Sequence, residues 1–343
     1  MSRRRPILPI ALLALFATGA AVYTPDRSRA ELEARYLAAS SDLRLVDGVR
    51  LHVRDEGPRD APAIVLVHGL GASLHTWDPW VAALSATFRV VRFDVPGHGL
   101  TGPDPSGDYS DERSHRLLAA LLDSLALDHV TLVGHSMGGR LAWSFAAEQP
   151  ERVAQLVLIA PDGFASPGFD YDRPADVPAV LGVMRWVLPR PLLRANLAPA
   201  YADPSRLADS VARRNHDLMR TPGNRDALLT RLRQTVLTEP TARLARIAAP
   251  TLVLWGEDDA MIPVRNADDY ARLVPNVTVV RLPGLGHMPF EEAPTDALAP
   301  VRAFLDAHVA PRSGLSALPE RFGEERVKIE RDGNRREFGM PRQ

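Results

Sequence analysis

Six short apolar runs punctuate the chain, and they constrain its fold more than any other feature. Ala63 to Val67, Val90 to Phe93, Val130 to Val133, Val153 to Ile159, Thr251 to Trp255 and Val277 to Leu282 are each four to seven residues long and rich in β-branched side chains. They are nearly continuous rather than alternating, which is the pattern of strands covered on both faces in a parallel sheet. Amphipathic stretches lie between or after them. Asp111 to Leu125 carries Leu117, Leu118, Leu121, Leu122 and Leu125 on one side, and Pro294 to His308 carries Leu298, Val301, Phe304 and Leu305. Strand and helix in repeated alternation predict right-handed crossovers and a doubly wound, mostly parallel α/β sheet. Ahead of the first run, Leu43 to Val46 and Val49 to Glu56 read as a hairpin turning at Asp47-Gly48.

The alternation breaks between Ala160 and about Pro250, where helical patches (Val177 to Leu188, Ser205 to Leu218, Asp226 to Leu237) occur without a convincing strand. This predicts an inserted helical cap. The expected organisation is therefore a targeting segment over 1–25, a spacer over 26–41, a core over 42–160 and 246–310, a cap or lid over 161–245, and a disordered tail over 311–343. The targeting segment is read from Arg3-Arg4-Arg5 followed by an uncharged, mostly apolar run from Ile7 to Tyr23. Leading arginines stay cytoplasmic, so a signal anchor with a transmembrane helix would hold the catalytic domain in the periplasm or otherwise outside the cytoplasm. Ala17, Gly19 and Ala21 equally offer a cleavage site for a secreted form.

The absence of cysteine removes thiol nucleophiles, thiolate metal sites and disulfides. A chain of 343 residues can bury a core large enough to stand without them. Net charge is -1, and of 41 basic residues only Lys328 is a lysine, which is read as a coding habit rather than an array of phosphate forks. No nucleic-acid partner, metal or cofactor is expected.

Gly134-His135-Ser136-Met137-Gly138 follows the run Val130 to Val133 and precedes a helical stretch from Gly139 to Gln149. G-x-S-x-G in a strand-turn-helix context places a serine hydroxyl at the top of a sheet and at a helix N-terminus, where the Met137 N–H points toward a developing oxyanion. A base is expected at His287, in the loop after the last strand. The loop after the preceding strand, Gly256-Glu257-Asp258-Asp259, supplies the acid from among three carboxylates.

These pieces, with His68-Gly69-Leu70-Gly71 and Asp94-Val95-Pro96-Gly97-His98-Gly99, make residues 43 to 309 resemble the α/β-hydrolase fold family in its serine-nucleophile, esterase- and lipase-like branch. The resemblance implies Ser136 as nucleophile, His287 as base and Asp259 as acid, with Asp258 and Asp162 as rivals. It also implies the Leu70 N–H as second oxyanion donor. His135, Trp77, Met184 and Trp186 are candidate substrate contacts. His68, Asp94 and His98 are expected to be structural.

The expected function is carboxylic ester hydrolysis of an apolar small-molecule substrate. Carbon–carbon bond hydrolysis of ring-cleavage products is the alternative, with Arg213 or Arg214 as its cap arginine. A non-catalytic binding protein on the same fold is the alternative of another class. Oligomeric state is not legible.

Overall fold

The computed structural model describes residues 22–166 and 168–308. An eight-stranded sheet runs in the order β1-β2-β4-β3-β5-β6-β7-β8, formed by Leu43–Val46, Val49–Glu56, Ala63–Val67, Arg89–Phe93, Val130–His135, Val153–Ile159, Thr251–Gly256 and Val277–Leu282 for β1 to β8. The first two strands pair antiparallel with each other, and β2 pairs antiparallel with β4; every later pairing is parallel. The hairpin turns where expected, with both Asp47 and Gly48 at positive φ.

Alternation along each central strand divides the core in two. In β3, Val65 and Val67 join the cluster containing Leu117, Leu121, Leu141 and Phe145, whereas Ile64 and Leu66 join the opposite cluster with Trp80, Val301 and Leu305. Helices Asp111–Ser124 and Met137–Glu148 therefore cover one face, and Asp78–Leu84 and Pro294–His308 the other. β4 departs from a purely apolar strand. Arg89 reaches Asp55 on β2 through Nε (3.0 Å) and Nη2 (2.9 Å), and Arg92 reaches Glu56 through Nε (2.9 Å), so both cations are buried with partners.

Between β6 and β7 the chain runs through the 3₁₀ turn Ala179–Arg185 and the helices Arg190–Leu197, Asp209–Met219 and Asn224–Gln234. The stretch Val177 to Leu188, expected as helix, is mostly this 3₁₀ turn, because Pro178 and Pro189 bracket it and Gly182 interrupts it.

The segment expected as a spacer is instead folded against the domain. Ser28 caps the helix Arg29–Tyr36, whose Leu32 is buried against Leu100 and Leu218. Arg29 donates to the carbonyls of Leu100 (2.6 Å) and Thr101 (3.2 Å), and the Tyr36 hydroxyl donates to Asp217 Oδ2 (2.7 Å). Just upstream, Thr24 N–H donates to Trp186 O (2.7 Å), and Arg225 donates to Thr24 O (2.7 Å) and pairs with Asp26. Among the described residues no helix is long and apolar enough to cross a membrane. The run from Ile7 lies outside the described residues except for Val22 and Tyr23, and so does the tail 311–343.

Candidate active site

β5 ends at His135 and a helix begins at Met137, leaving Ser136 alone at the corner with φ 53° and ψ -121°. A non-glycine residue at positive φ stores strain, which the surrounding close packing sustains. That packing is tight. A Cβ on Gly138 would stand 2.4 Å from Val67 O and 2.5 Å from His68 O, and one on Gly69 would stand 2.8 Å from His135 Nδ1 and 3.1 Å from Ser136 Cβ. The two glycines thus let the loop after β3 lie directly against the corner that carries Ser136. Leu70 and Met137 both border the same cavity as Ser136. Among the described residues, neither backbone N–H donates a hydrogen bond within the protein, so both amides are available to an anionic oxygen.

His287 follows β8, and its Nδ1–H donates to Asp259 Oδ2 (2.8 Å). Asp259 is enclosed: its Oδ2 also accepts from Trp255 Nε1 (3.1 Å), and its Oδ1 accepts from Met261 N (2.8 Å) and Ile262 N (2.9 Å). Of the three candidate acids it alone meets the imidazole. Asp258 is exposed, and Asp162 accepts from Arg140 Nε (3.1 Å). Ser136 Oγ makes no hydrogen bond among the described residues, a resting arrangement common before substrate arrives.

The Ser136 cavity has a volume of about 170 Å³. Leu70, Phe169, Leu232, Met261 and Ile262 supply its apolar walls. Among the described residues its only cation is Arg140, which is held between Asp162 and Asp111, so these residues present no uncompensated positive charge to the cavity. Arg140 escaped the sequence reading, although it lies four residues past Ser136 and therefore on the same side of the helix. Leu232 and Thr235, three apart at the end of a cap helix, had no sequence signal beyond that helix.

The expected substrate contacts are placed elsewhere. Trp77 is fully buried, its ring 4.7 Å from that of Phe290 and 5.8 Å from that of Trp80, so it is core. Met184 and Trp186 do not border the cavity; Arg225 donates to the Met184 carbonyl (3.2 Å), and Trp186 faces solvent. His135 is buried behind the site. Its Nε2–H donates to the His287 carbonyl (2.9 Å), and burial, reinforced by the neighbouring His287, pushes it well below the usual histidine range. A neutral ring so placed holds the His287 backbone and does not border the cavity beside Ser136.

A second Ser–His–carboxylate chain exists and is excluded as a site. His115 bridges Glu148 Oε2 (2.8 Å) and Ser144 Oγ (2.8 Å), but Ser144 is fully buried and gives its own proton to Arg140 O (2.7 Å).

Asp94 is the buried node beneath the loop that follows β3. Its carboxylate accepts from Leu74 N (2.7 Å), Leu100 N (2.8 Å) and His52 Nδ1 (2.7 Å), while His68 Nε2 accepts from Val95 N (3.0 Å). Burial alone would push its carboxyl up, but the neighbouring His52 and His68 and the Leu74 amide outweigh it and hold the group well below the usual carboxylate range. The stabilisation from this ionised group is therefore present above the unfolded value near 4 and is lost only as pH falls through the lower folded value. Asp94→Asn is expected to cost about 3 kcal/mol at pH 7. Thermal melts should show the same deficit at pH 5, shrinking only in stronger acid.

Comparison with known proteins agrees with this geometry. The family model described as alpha/beta hydrolase fold matches residues 62–294. A putative carbamate hydrolase of Pseudomonas savastanoi pv. phaseolicola is 32% identical over 250 residues, covering 70% of this chain and 94% of that protein. Among solved structures, a meta-cleavage product hydrolase from Pseudomonas fluorescens superposes with TM-score 0.67 at 23% identity, covering 78% of this chain and 99% of that one. A bacterial membrane phospholipase A superposes with TM-score 0.66 at 24% identity, covering 88% of this chain and 97% of that one.

Proposed function

Because the chain belongs to the α/β-hydrolase fold family, we propose that it is a serine hydrolase cleaving carboxylic esters of short acyl chains through an acyl-enzyme on Ser136. The observation that carries this reading is the cavity itself. A void of about 150 Å³ holds a benzene ring, so the roughly 170 Å³ beside Ser136 suits an acyl group of about six heavy atoms. Apolar walls and a neutralised Arg140 favour an uncharged acyl group over a carboxylate-bearing one.

In this mechanism His287 accepts the Ser136 proton as the hydroxyl attacks the acyl carbon. Asp259, bonded to Nδ1–H, holds the tautomer that leaves Nε2 free as base and stabilises the imidazolium. The Leu70 and Met137 amides receive the tetrahedral oxyanion, each donor worth about 3 kcal/mol in such sites. The proton then passes from His287 to the leaving alcohol, and water deprotonated by the same ring releases the acid.

Carbon–carbon bond hydrolysis is the second reading, supported by the structural likeness to a meta-cleavage product hydrolase. Against it, Arg213 and Arg214 border a different cavity, with Tyr36 and His75, and Arg214 pairs with Glu291 (3.0 Å). A panel of p-nitrophenyl esters separates the readings. Acetyl to hexanoyl esters should turn over, with kcat/KM falling about tenfold or more by the dodecanoyl ester, since each displaced methylene forfeits about 0.8 kcal/mol of burial. Cleavage of a vinylogous 1,5-diketone with no ester turnover would replace the ester reading by the alternative.

A further inference from the structure

We propose that the outer face of the cap, formed by Val180, Val183, Trp186 and Leu192 together with Tyr23, docks on the surface of a lipid bilayer. Val180, Val183 and Trp186 follow one another at intervals of three along and just past the 3₁₀ turn Ala179–Arg185. With three residues per turn they fall in one row. That row points outward. The five side chains are between 47% and 71% exposed, although each is large and apolar, and they account for half of the large apolar residues exposed among the described residues. Single exposed apolar residues are ordinary; a row of them beside a second apolar segment marks an interaction surface.

The occupant is argued from the chain that enters this face. Tyr23 forms an antiparallel bridge with Val187, and Thr24 N–H donates to Trp186 O (2.7 Å). Tyr23 is also the last residue of the apolar run that starts at Ile7. The longest apolar run of the sequence therefore leads directly into the row. Trp and Tyr favour the boundary between hydrocarbon and headgroups. Arg190 and Arg194, half-exposed on the next helix, stand ready to snorkel toward lipid phosphates, since their pairings with Asp209 are long at 3.6 Å. A partner protein would need shape complementarity that nothing here supplies, whereas a bilayer asks only for apolar side chains with cationic flanks.

The face is also wired to the site. Arg225, which donates to the carbonyls of Thr24 (2.7 Å) and Met184 (3.2 Å), lies on the helix Asn224–Gln234 whose Leu232 borders the Ser136 cavity. Docking would hold the cap, and with it one wall of the cavity, at the lipid surface. The proposal does not depend on which bond the enzyme cleaves.

Tryptophan fluorescence tests it directly, because Trp77, Trp80, Trp143 and Trp255 are buried and Trp186 is the single exposed one. The full chain is reconstituted in phosphatidylcholine–phosphatidylglycerol vesicles, with Trp186→Phe as the difference reference. The Trp186 emission should be quenched by lipids brominated on their acyl chains and protected from aqueous iodide, about threefold relative to Val180→Asp/Val183→Asp in the same vesicles. Leu45→Asp, at a still more exposed position on β1, should change neither quenching. Trp186 open to iodide in wild type would overturn the proposal. Protection from iodide without quenching by brominated lipid would overturn it too, by showing that a second copy or another part of the chain covers the face. Turnover of a soluble ester in every variant keeps these outcomes separate from the hydrolase reading.

Discussion

Replacing Ser136 by alanine is expected to lower kcat for short p-nitrophenyl esters by about 10⁵- to 10⁶-fold, the loss seen when a triad nucleophile is removed. The fold should survive. The Ser136 side chain makes no hydrogen bond among the described residues, and what shapes the corner is the backbone: Ser136 N donates to Ile159 O (3.1 Å), while Arg140 N and Asp162 N donate to Ser136 O (3.0 Å each). None of these is lost in the variant. Equal melting temperatures, combined with loss of turnover and of the acyl adduct expected by mass spectrometry on wild type, would isolate the chemistry from stability. Unchanged turnover would remove Ser136 from the mechanism.

The second large effect concerns the acid. Asp259→Asn should lower kcat by about 10⁴-fold. An amide can present one oxygen, and Met261 N and Ile262 N already claim an acceptor at Oδ1. Its NH₂ then faces two donors, His287 Nδ1–H and Trp255 Nε1–H, and the imidazole must adopt the tautomer that cannot take a proton from serine. The unpaired donor adds about 1–3 kcal/mol of lost stability, so melting temperature should fall as well. Asp258→Asn, at an exposed neighbour, should stay within about twofold of wild type, as surface substitutions generally do. A reversed ranking of the two variants would refute Asp259 as the acid.

How much of this was legible depended on whether the information was local. Apolar runs bounded by turn residues located six of the eight strands, and the Asp47-Gly48 turn between two extended segments located the other two; burial within a sheet leaves a composition signature that needs no knowledge of partners, and it persists even in β8, which lies at the sheet edge and is only partly buried. The serine corner was equally local, a strand, a glycine-framed turn and a helix within twenty residues. Side-chain direction was not. Trp77 lies near the oxyanion loop in sequence and was read as a pocket residue, yet the helix that follows rotates it inward onto Phe290, more than two hundred residues away. Arg92 was invisible as a core residue because its partners, Glu56 and Asp78, come from two other elements. The charged helix Arg29–Tyr36 looked like a spacer for the same reason. It buries only Leu32, and most of its attachment is made by arginine and tyrosine reaching distant carbonyls and a carboxylate.

That attachment decides which cuts near the N-terminus the cap can withstand. The expected border of the leader, near residue 25, runs through the middle of the clasp in which Thr24 holds Trp186 and Leu188 and is itself held by Arg225. A cut before Val22 would leave these contacts of the described residues in place. One acting after Leu37 would take with it the Leu32 plug, the Arg29 contacts at the loop beside Asp94, and the Tyr36 tie to the cap. A cut that spares the cap's fastening and one that removes it are therefore separated by about fifteen residues, so the position of a cleavage between Val22 and Leu37 decides how much of the cap's attachment survives.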